Sequence, residues 1–340
     1  MKNVINFNLE DHVQLNARYG TSVTDFEATA TMSNDTWVKA RNKGVGGSDV
    51  ANILGTADAF GSPLGAWYDK TEGGYVEDNE SMFWGRTLED TIRSAYAEKS
   101  GYEVNVVDAI LTGKNAHEKA NLDGLVKVGD TWGILEIKNI GSFGAPAWGT
   151  DADPKTPSKY VAQVQWYMYV TGLQYAVVVA LIGGQKMVVR HLERDEDFIN
   201  EASEVCGIFW EEHVKTKTAP KNTGSTVCAE ILKKLNPPTD ITATPFDDAK
   251  TKDLLDLWLD YSTHEKEFKD LKKKVEVALL EKIGSHQKAT LNGKSVATYK
   301  AGTRNTVDSK KLKEAYPQAY ADCLKTSVTN TFKISYKGVK

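Results

Sequence analysis

Residues 121–138, Asn-Leu-Asp-Gly-Leu-Val-Lys-Val-Gly-Asp-Thr-Trp-Gly-Ile-Leu-Glu-Ile-Lys, decide how this chain is read. Branched apolar residues recur at alternate positions in 121–128 and again in 132–138, with Gly129-Asp130 between them, which predicts two strands joined by a tight turn. Alternate residues of a strand share a face, so Glu136 and Lys138 point one way while Leu135 and Ile137 point the other. If the two strands pair, Asp123 joins Glu136 and Lys138. Two carboxylates beside one ammonium suit a hard divalent cation held against a phosphate. On these three residues alone an ion pair on an exposed hairpin, which contributes little to stability, is the favoured reading. The rest of the chain separates these readings.

Working outward, 340 residues suggest two domains or one large domain with an appendage, and 41% hydrophobic with 26% charged residues is enough for an ordinary globular core. No run approaches eighteen apolar residues, and the start (Met-Lys-Asn-Val-Ile-Asn-Phe-Asn) lacks the pattern of a signal peptide, so a soluble cytoplasmic protein with no membrane partner is expected. Cys206, Cys228 and Cys323 are widely separated, which argues against zinc, a disulfide framework or a four-cysteine iron–sulfur cluster. The net charge of −4 divides unevenly: residues 250–340 carry +8 and residues 1–249 carry −12. The basic tail is the part suited to face a polyanion, although a solvated helix face accounts for its charge equally well.

Residues 1–36 show little periodicity and read as a lead-in. Helices are expected from about Gly47 with Ser48 or a neighbour as cap, over Pro63–Lys70, and over Glu80–Ser100. Strands follow near Glu103–Leu111, Asn121–Val128 and Trp132–Asn139. After a Gly- and Pro-rich loop comes a helix over Ser158–Thr171, with Ser158 as candidate cap. Strands Tyr175–Ile182 and Lys186–Leu192 and a helix from Asp195 to Lys215 complete the body. This order predicts an α/β (α+β) core with a mixed sheet flanked by helices. Residues 216–245 read as a linker. Residues 246–340 form a basic appendage: a long helix with apolar residues at three- and four-residue steps, a hairpin about Asn292-Gly293, and a short helical end. Gly85 inside a predicted helix suggests that something approaches that turn closely. On the helix after Ser158, Gln163, Tyr167 and Val170 share one face and Gln165 lies opposite.

Taken in order, Arg41 with Gly46-Gly47-Ser48-Asp49, Gly85-x-x-x-Glu89, Asp123-Gly124, Glu136-x-Lys138 and Ala162-Gln163-Val164-Gln165 resemble the phage lambda-type exonuclease group, also called YqaJ-like viral recombinases, within the restriction-endonuclease-like nuclease superfamily. Val170-Thr171-Gly172, His191 to Asp195 and Phe209-Trp210 extend the resemblance, which spans about residues 38–215 and marks 37–215 as an exonuclease domain. The chain departs from the superfamily in having Leu122, where Pro often precedes the first Asp.

The resemblance implies a restriction-endonuclease-like core with these roles. Asp123, Glu136 and the backbone carbonyl of Ile137 would bind Mg²⁺, with Mn²⁺ as a substitute. Lys138 would position water or stabilise the phosphate. Glu89 would hold a second metal or its water shell, and Gln163 would orient water or phosphate. Arg41 and Ser48, with Tyr167 nearby, would bind DNA at its 5′-phosphate. His117 is expected to be structural. The activity implied is 5′→3′ digestion of one strand of linear duplex DNA during phage recombination, by a homotrimeric ring working with a single-strand annealing protein in a bacterial host. A structure- or sequence-directed endonuclease and a non-catalytic DNA-end-binding module remain the alternatives.

Overall fold

The turn at Gly129-Asp130 closes the hairpin around which the first part of the chain is built. In the computed structural model, residues 4–6, 11–73, 79–239, 242–303, 305–325, 327 and 332–337 are described. They fall into two units, Met1–Leu235 and Asn236–Lys340. The strands of the first unit are β1 (Val4–Asn6), β2 (Asp25–Ala28), β3 (Glu103–Val106), β4 (Ala109–Thr112), β5 (Lys119–Asn121), β6 (Gly124–Val128), β7 (Thr131–Ile140), β8 (Tyr175–Ile182) and β9 (Lys186–Glu193). Its helices are α1 (His12–Tyr19), α2 (Asn34–Arg41), α3 (Gly47–Leu54), α4 (Pro63–Thr71), α5 (Glu80–Ser100), α6 (Ser158–Thr171), α7 (Glu196–Ile208) and α8 (Thr226–Leu235).

The main sheet has the order β1-β3-β6-β7-β8-β9. The β6–β7 hairpin is antiparallel, β7 and β8 are parallel across the α6 crossover, and β8–β9 is again antiparallel. This is the mixed, helix-flanked sheet expected from the sequence. The period of two along β7 sorts its side chains as expected. Leu135 and Ile137 pack with Ile92, Tyr96 and Ala97 of α5 on one face. Ile134 joins the larger core on the other face, built with α3 and α6.

Two expected strands are each divided between two sheets. Residues 103–106 lie in the main sheet and 109–112 in a small sheet of order β2-β4-β5. Likewise 119–121 belong to the small sheet and 124–128 to the main one. Leu122 and Asp123 form the crossing point, with Leu122 buried in the core as its apolar character requires.

The lead-in is more ordered than its weak periodicity suggests. Asp11 caps α1, Leu15, Tyr19 and Val23 are buried in the main core, and β2 pairs antiparallel with β4. Short elements with two or three apolar residues leave little periodic signal. The stretch expected as a linker contains α8, whose Cys228 and Ile231 join the same core.

Caps also differ from expectation. Gly46 caps α3, with the Asp49 side chain accepting from the Gly46 N–H at 2.8 Å. The first turn of α6 is capped from a distance: Asp58 accepts from the Ser158 hydroxyl at 2.7 Å and from the Lys159 N–H at 3.1 Å. Gly85 faces open space, whereas Gly47 is closely packed, since a Cβ there would stand 2.5 Å from the Tyr167 ring and 2.9 Å from the Gln163 carbonyl.

The second unit comprises α9 (Ala249–Ile283), the hairpin β10 (Lys288–Leu291) and β11 (Lys294–Thr298), and the short helices α10 (Ser309–Ala315) and α11 (Pro317–Asp322). Among the described residues no helix is long and apolar enough to cross a membrane.

The contrast between the two glycines predicts opposite stability effects. Gly47→Ala overpacks the α3–α6 contact and is expected to destabilise by about 1–3 kcal/mol. Gly85→Ala fills open space in a helix and should stabilise by up to about 1 kcal/mol. Urea unfolding of the two variants beside the parent chain checks both.

Candidate active site

Asp123 lies one residue before β6, and the register Gly124↔Leu135 puts it opposite Glu136. Its Oδ2 accepts from the Ile137 N–H at 2.7 Å, a bond that takes the place of the missing rung of the ladder. The N–H and C=O of one strand residue point to the same edge. The Ile137 carbonyl therefore also faces the gap beyond the start of β6. Glu136 is 1% exposed. Its Oε1 accepts from the Lys138 ammonium and, at 2.7 Å, from the Gln163 amide. Its Oε2 is buried with no hydrogen-bond partner. Lys138 Nζ also stands 5.1 Å from the centre of the Tyr160 ring.

Lys138 and Arg93 only partly offset the burial and mutual repulsion of the carboxyls here. Burial, reinforced by the Asp123 charge, pushes Glu136 up to about 8. Burial and Asp123 likewise push Glu89 up to about 7, against the pull of Arg93. Burial also raises Asp123, opposed by Lys138 and the Ile137 N–H. Burial alone would lower Lys138, but the charges of Glu136 and Asp123 outweigh it and hold the ammonium above its ordinary range. Mutually repelling carboxyls with an orphaned buried oxygen fit a hard cation with oxygen ligands. Among the described residues no three His, Cys, Asp or Glu side chains are arranged as a metal cage. The donors that fit are thus Asp123, Glu136 and the Ile137 carbonyl. Glu89 is held back by an ion pair with Arg93.

The expected phosphate-binding residues line the same cleft of about 630 Å³. The Arg41 guanidinium donates to the Ser48 hydroxyl and lies over the Trp37 ring, 5.3 Å from its centre. Asp49, beside them, is buried and paired with Lys70 at 2.7 Å. Burial would raise its carboxyl, but Lys70 and Arg41 more than offset this and keep it ionised. On α6, Gln163 donates to the Tyr167 hydroxyl at 3.1 Å as well as to Glu136. Burial, then Glu136 nearby, holds the Tyr167 hydroxyl protonated well above its usual range. Gln165, on the opposite side, bonds the Glu193 carbonyl and the Asp195 N–H. His117 stacks on Trp210 with ring centroids 5.5 Å apart, consistent with the structural role expected of it.

The sequence reading passed over three cleft residues. Arg93 is buried and bridges Glu89 and Asp90; its four-residue spacing from Glu89 is the one signal that marks it. Tyr160 stacks on the buried Trp148 and stands beneath Lys138. Lys159 lies 3.4 Å from the centre of the exposed Phe60 ring. That contact joins segments about a hundred residues apart, so no local pattern reveals it.

The chain is similar to known proteins along most of its length. Residues 36–174 match the model of the YqaJ-like viral recombinase domain. The uncharacterised protein YqaJ of Bacillus subtilis (strain 168) is 30% identical over 308 residues, which cover 89% of this chain and 94% of that protein. The chain belongs to the YqaJ-like viral recombinase family. Among solved structures, an alkaline exonuclease from Laribacter hongkongensis is 25% identical with a TM-score of 0.45, covering 60% of this chain and all of that one. A phage-related exonuclease from Haemophilus somnus 129PT is 16% identical with a TM-score of 0.41, covering 52% of this chain and 95% of that one.

The raised carboxyls of this YqaJ-like chain give a signed pH dependence. Glu89 and Glu136 sit near 7 and 8 when folded, above their ordinary 4.5, so folding takes up protons. Without divalent cations, the contribution of these two groups to stability should be full below about pH 4.5 and fall by on the order of a few kcal/mol as pH rises to 8. Millimolar Mg²⁺ should remove most of that loss, and Glu136→Gln should flatten it. Thermal melts at pH 5.5, 7 and 8, with chelator or with Mg²⁺, test the sign.

Proposed function

We propose that this protein is a divalent-metal-dependent deoxyribonuclease that digests one strand of linear duplex DNA in the 5′→3′ direction, leaving 3′ single strands for phage-type recombination. The observation that carries the reading is the buried, partnerless Oε2 of Glu136. It stands with Asp123 and Lys138 in an open cleft that also contains Arg41 and Ser48. Membership in the viral recombinase family supports it.

In this reading Asp123, Glu136 and the Ile137 carbonyl hold Mg²⁺, or Mn²⁺ in its place, and Glu89 contributes to a second metal or its water shell. The bound cation supplies neutralisation of the scissile phosphate and acidification of water. Lys138 places its ammonium where charge grows on the phosphate during attack. Gln163 donates to one oxygen of Glu136 and so leaves the other free to act as a ligand. Tyr167, protonated, holds Gln163 in that orientation. Arg41, flattened against Trp37 and bonded to Ser48, receives the terminal 5′-phosphate through charge-assisted bonds. Lys159 on the Phe60 ring adds a cation on the same rim. A homotrimeric ring and a single-strand annealing protein as partner complete the proposal.

Linear duplexes labelled at one end measure activity, polarity and end requirement together. Label should be released from the 5′ end in Mg²⁺ and not in chelator. Asp123→Ala and Lys138→Ala should each lose at least about a hundredfold in rate. Arg41→Ala should lose about ten- to a hundredfold of the preference for 5′-phosphate over 5′-hydroxyl ends while retaining slow digestion. Steady breakdown of closed circular DNA would establish an endonuclease instead. Metal binding without hydrolysis would leave an end-binding module.

A further inference from the structure

The long helix α9 has a feature that the nuclease reading does not use. From Leu254 its residues step alternately by three and four as far as Ala278, giving eight seam positions over nearly four heptads. Seven of the eight are apolar, His264 being the exception, and all eight are exposed. The period of 3.5 residues is that of a left-handed coiled-coil seam, and Leu255, Trp258, Leu259, Val277, Leu279 and Leu280 add apolar residues outside it.

The chain itself offers no helix to cover this seam among the described residues. The other helices of the second unit have 7 and 6 residues, against 35 in α9. In the first unit the longest helix, α5, has 21 residues, and its Ile92, Tyr96 and Ala97 are already packed on the sheet. A partner of matching length, about 52 Å at 1.5 Å per residue, is supplied by another α9.

We propose that α9 pairs with α9 of a second copy of this chain as a two-stranded coiled coil. Both orientations bring apolar layers together. In the antiparallel one, Leu254 meets Ala278, Leu257 meets Val275, Tyr261 meets Leu271, and His264 meets Phe268. Both ends of the 249–283 helix then coincide with those of its partner. In the parallel one each residue meets its own copy, and two His264 side chains share a layer. A stable interface of about 1,200–2,000 Å² needs roughly 75–125 Å² from each of sixteen seam residues, within what leucine and aromatic side chains supply. The pairing is independent of any nuclease activity and, with the trimeric ring proposed above, joins copies from two different rings.

Cross-linking of the full-length chain tests it, with the exposed Cys323 replaced by Ser. Leu254→Cys combined with Ala278→Cys should give a reducible dimer under mild oxidation if the helices are antiparallel. Leu254→Cys alone should give one if they are parallel. The two introduced thiols lie about 36 Å apart on one helix and cannot bridge within a chain. The mass by light scattering should also fall at least twofold in Phe268→Glu, whose side chain is exposed and whose circular dichroism should match the parent. A dimer from either cysteine variant together with the mass change supports the pairing. No cross-link from either, or an unchanged mass in Phe268→Glu, overturns it.

Discussion

The bond from the Ile137 N–H to Asp123 Oδ2 is the interaction on which the site depends. A strand that stopped one residue short would leave an unpaired amide inside the protein, at a penalty of about 1–3 kcal/mol. Here a carboxylate satisfies that amide and ends the ladder between β6 and β7. Termination of the ladder exposes the neighbouring carbonyl edge, and the same residue contributes the acid that faces Glu136. Local strand geometry and site chemistry are one constraint. The small sheet exists on the other side of this crossing, because the chain entering Asp123 comes from β5 and not from a continuation of β6.

Around that point the protein tolerates a concentration of charge that folding alone would disfavour. Glu136 is buried among Ile134, Val178 and the α6 face, and it is held there by one ammonium and one amide. Gln163 and Tyr167 are buried with it, and Gly47 leaves room for both. Two residues of α6, Gln163 and Tyr167, therefore fix the orientation of a single carboxylate. Helix α5 contributes differently, with its apolar stripe against the sheet and Glu89 leashed by Arg93 at the edge.

Much of this was legible in the chain. The alternation over Leu135–Lys138 assigns Glu136 and Lys138 to one face, and Gly101 and Gly172 mark the C-terminal ends of α5 and α6. Gln163 and Gln165 separate by helical phase alone, and their partners, Glu136 and the Glu193–Asp195 backbone, lie on different sides of α6. Features that depend on distant partners were not legible. Leu122-Asp123 reads as uninterrupted strand because nothing local distinguishes an extended residue inside a ladder from one crossing between sheets. The Asp58 cap of α6 acts across a hundred residues. Gly47 and Gly85 look alike as letters, and only the packing of α6 tells them apart.

The close approach of α3 to α6 at Gly47 has a further consequence. Ser48, on the rim that receives the strand end in the proposed reading, is the residue next to Gly47, and Gln163, which grips Glu136, is what Gly47 touches. The separation between Ser48 and the residues that hold Glu136 is thereby set by close helix packing at a glycine. A rigid separation of this kind is a ruler. In the proposed reading it sets how many nucleotides lie between the captured terminus and the bond in line for cleavage, and so the length of the product released at each turn.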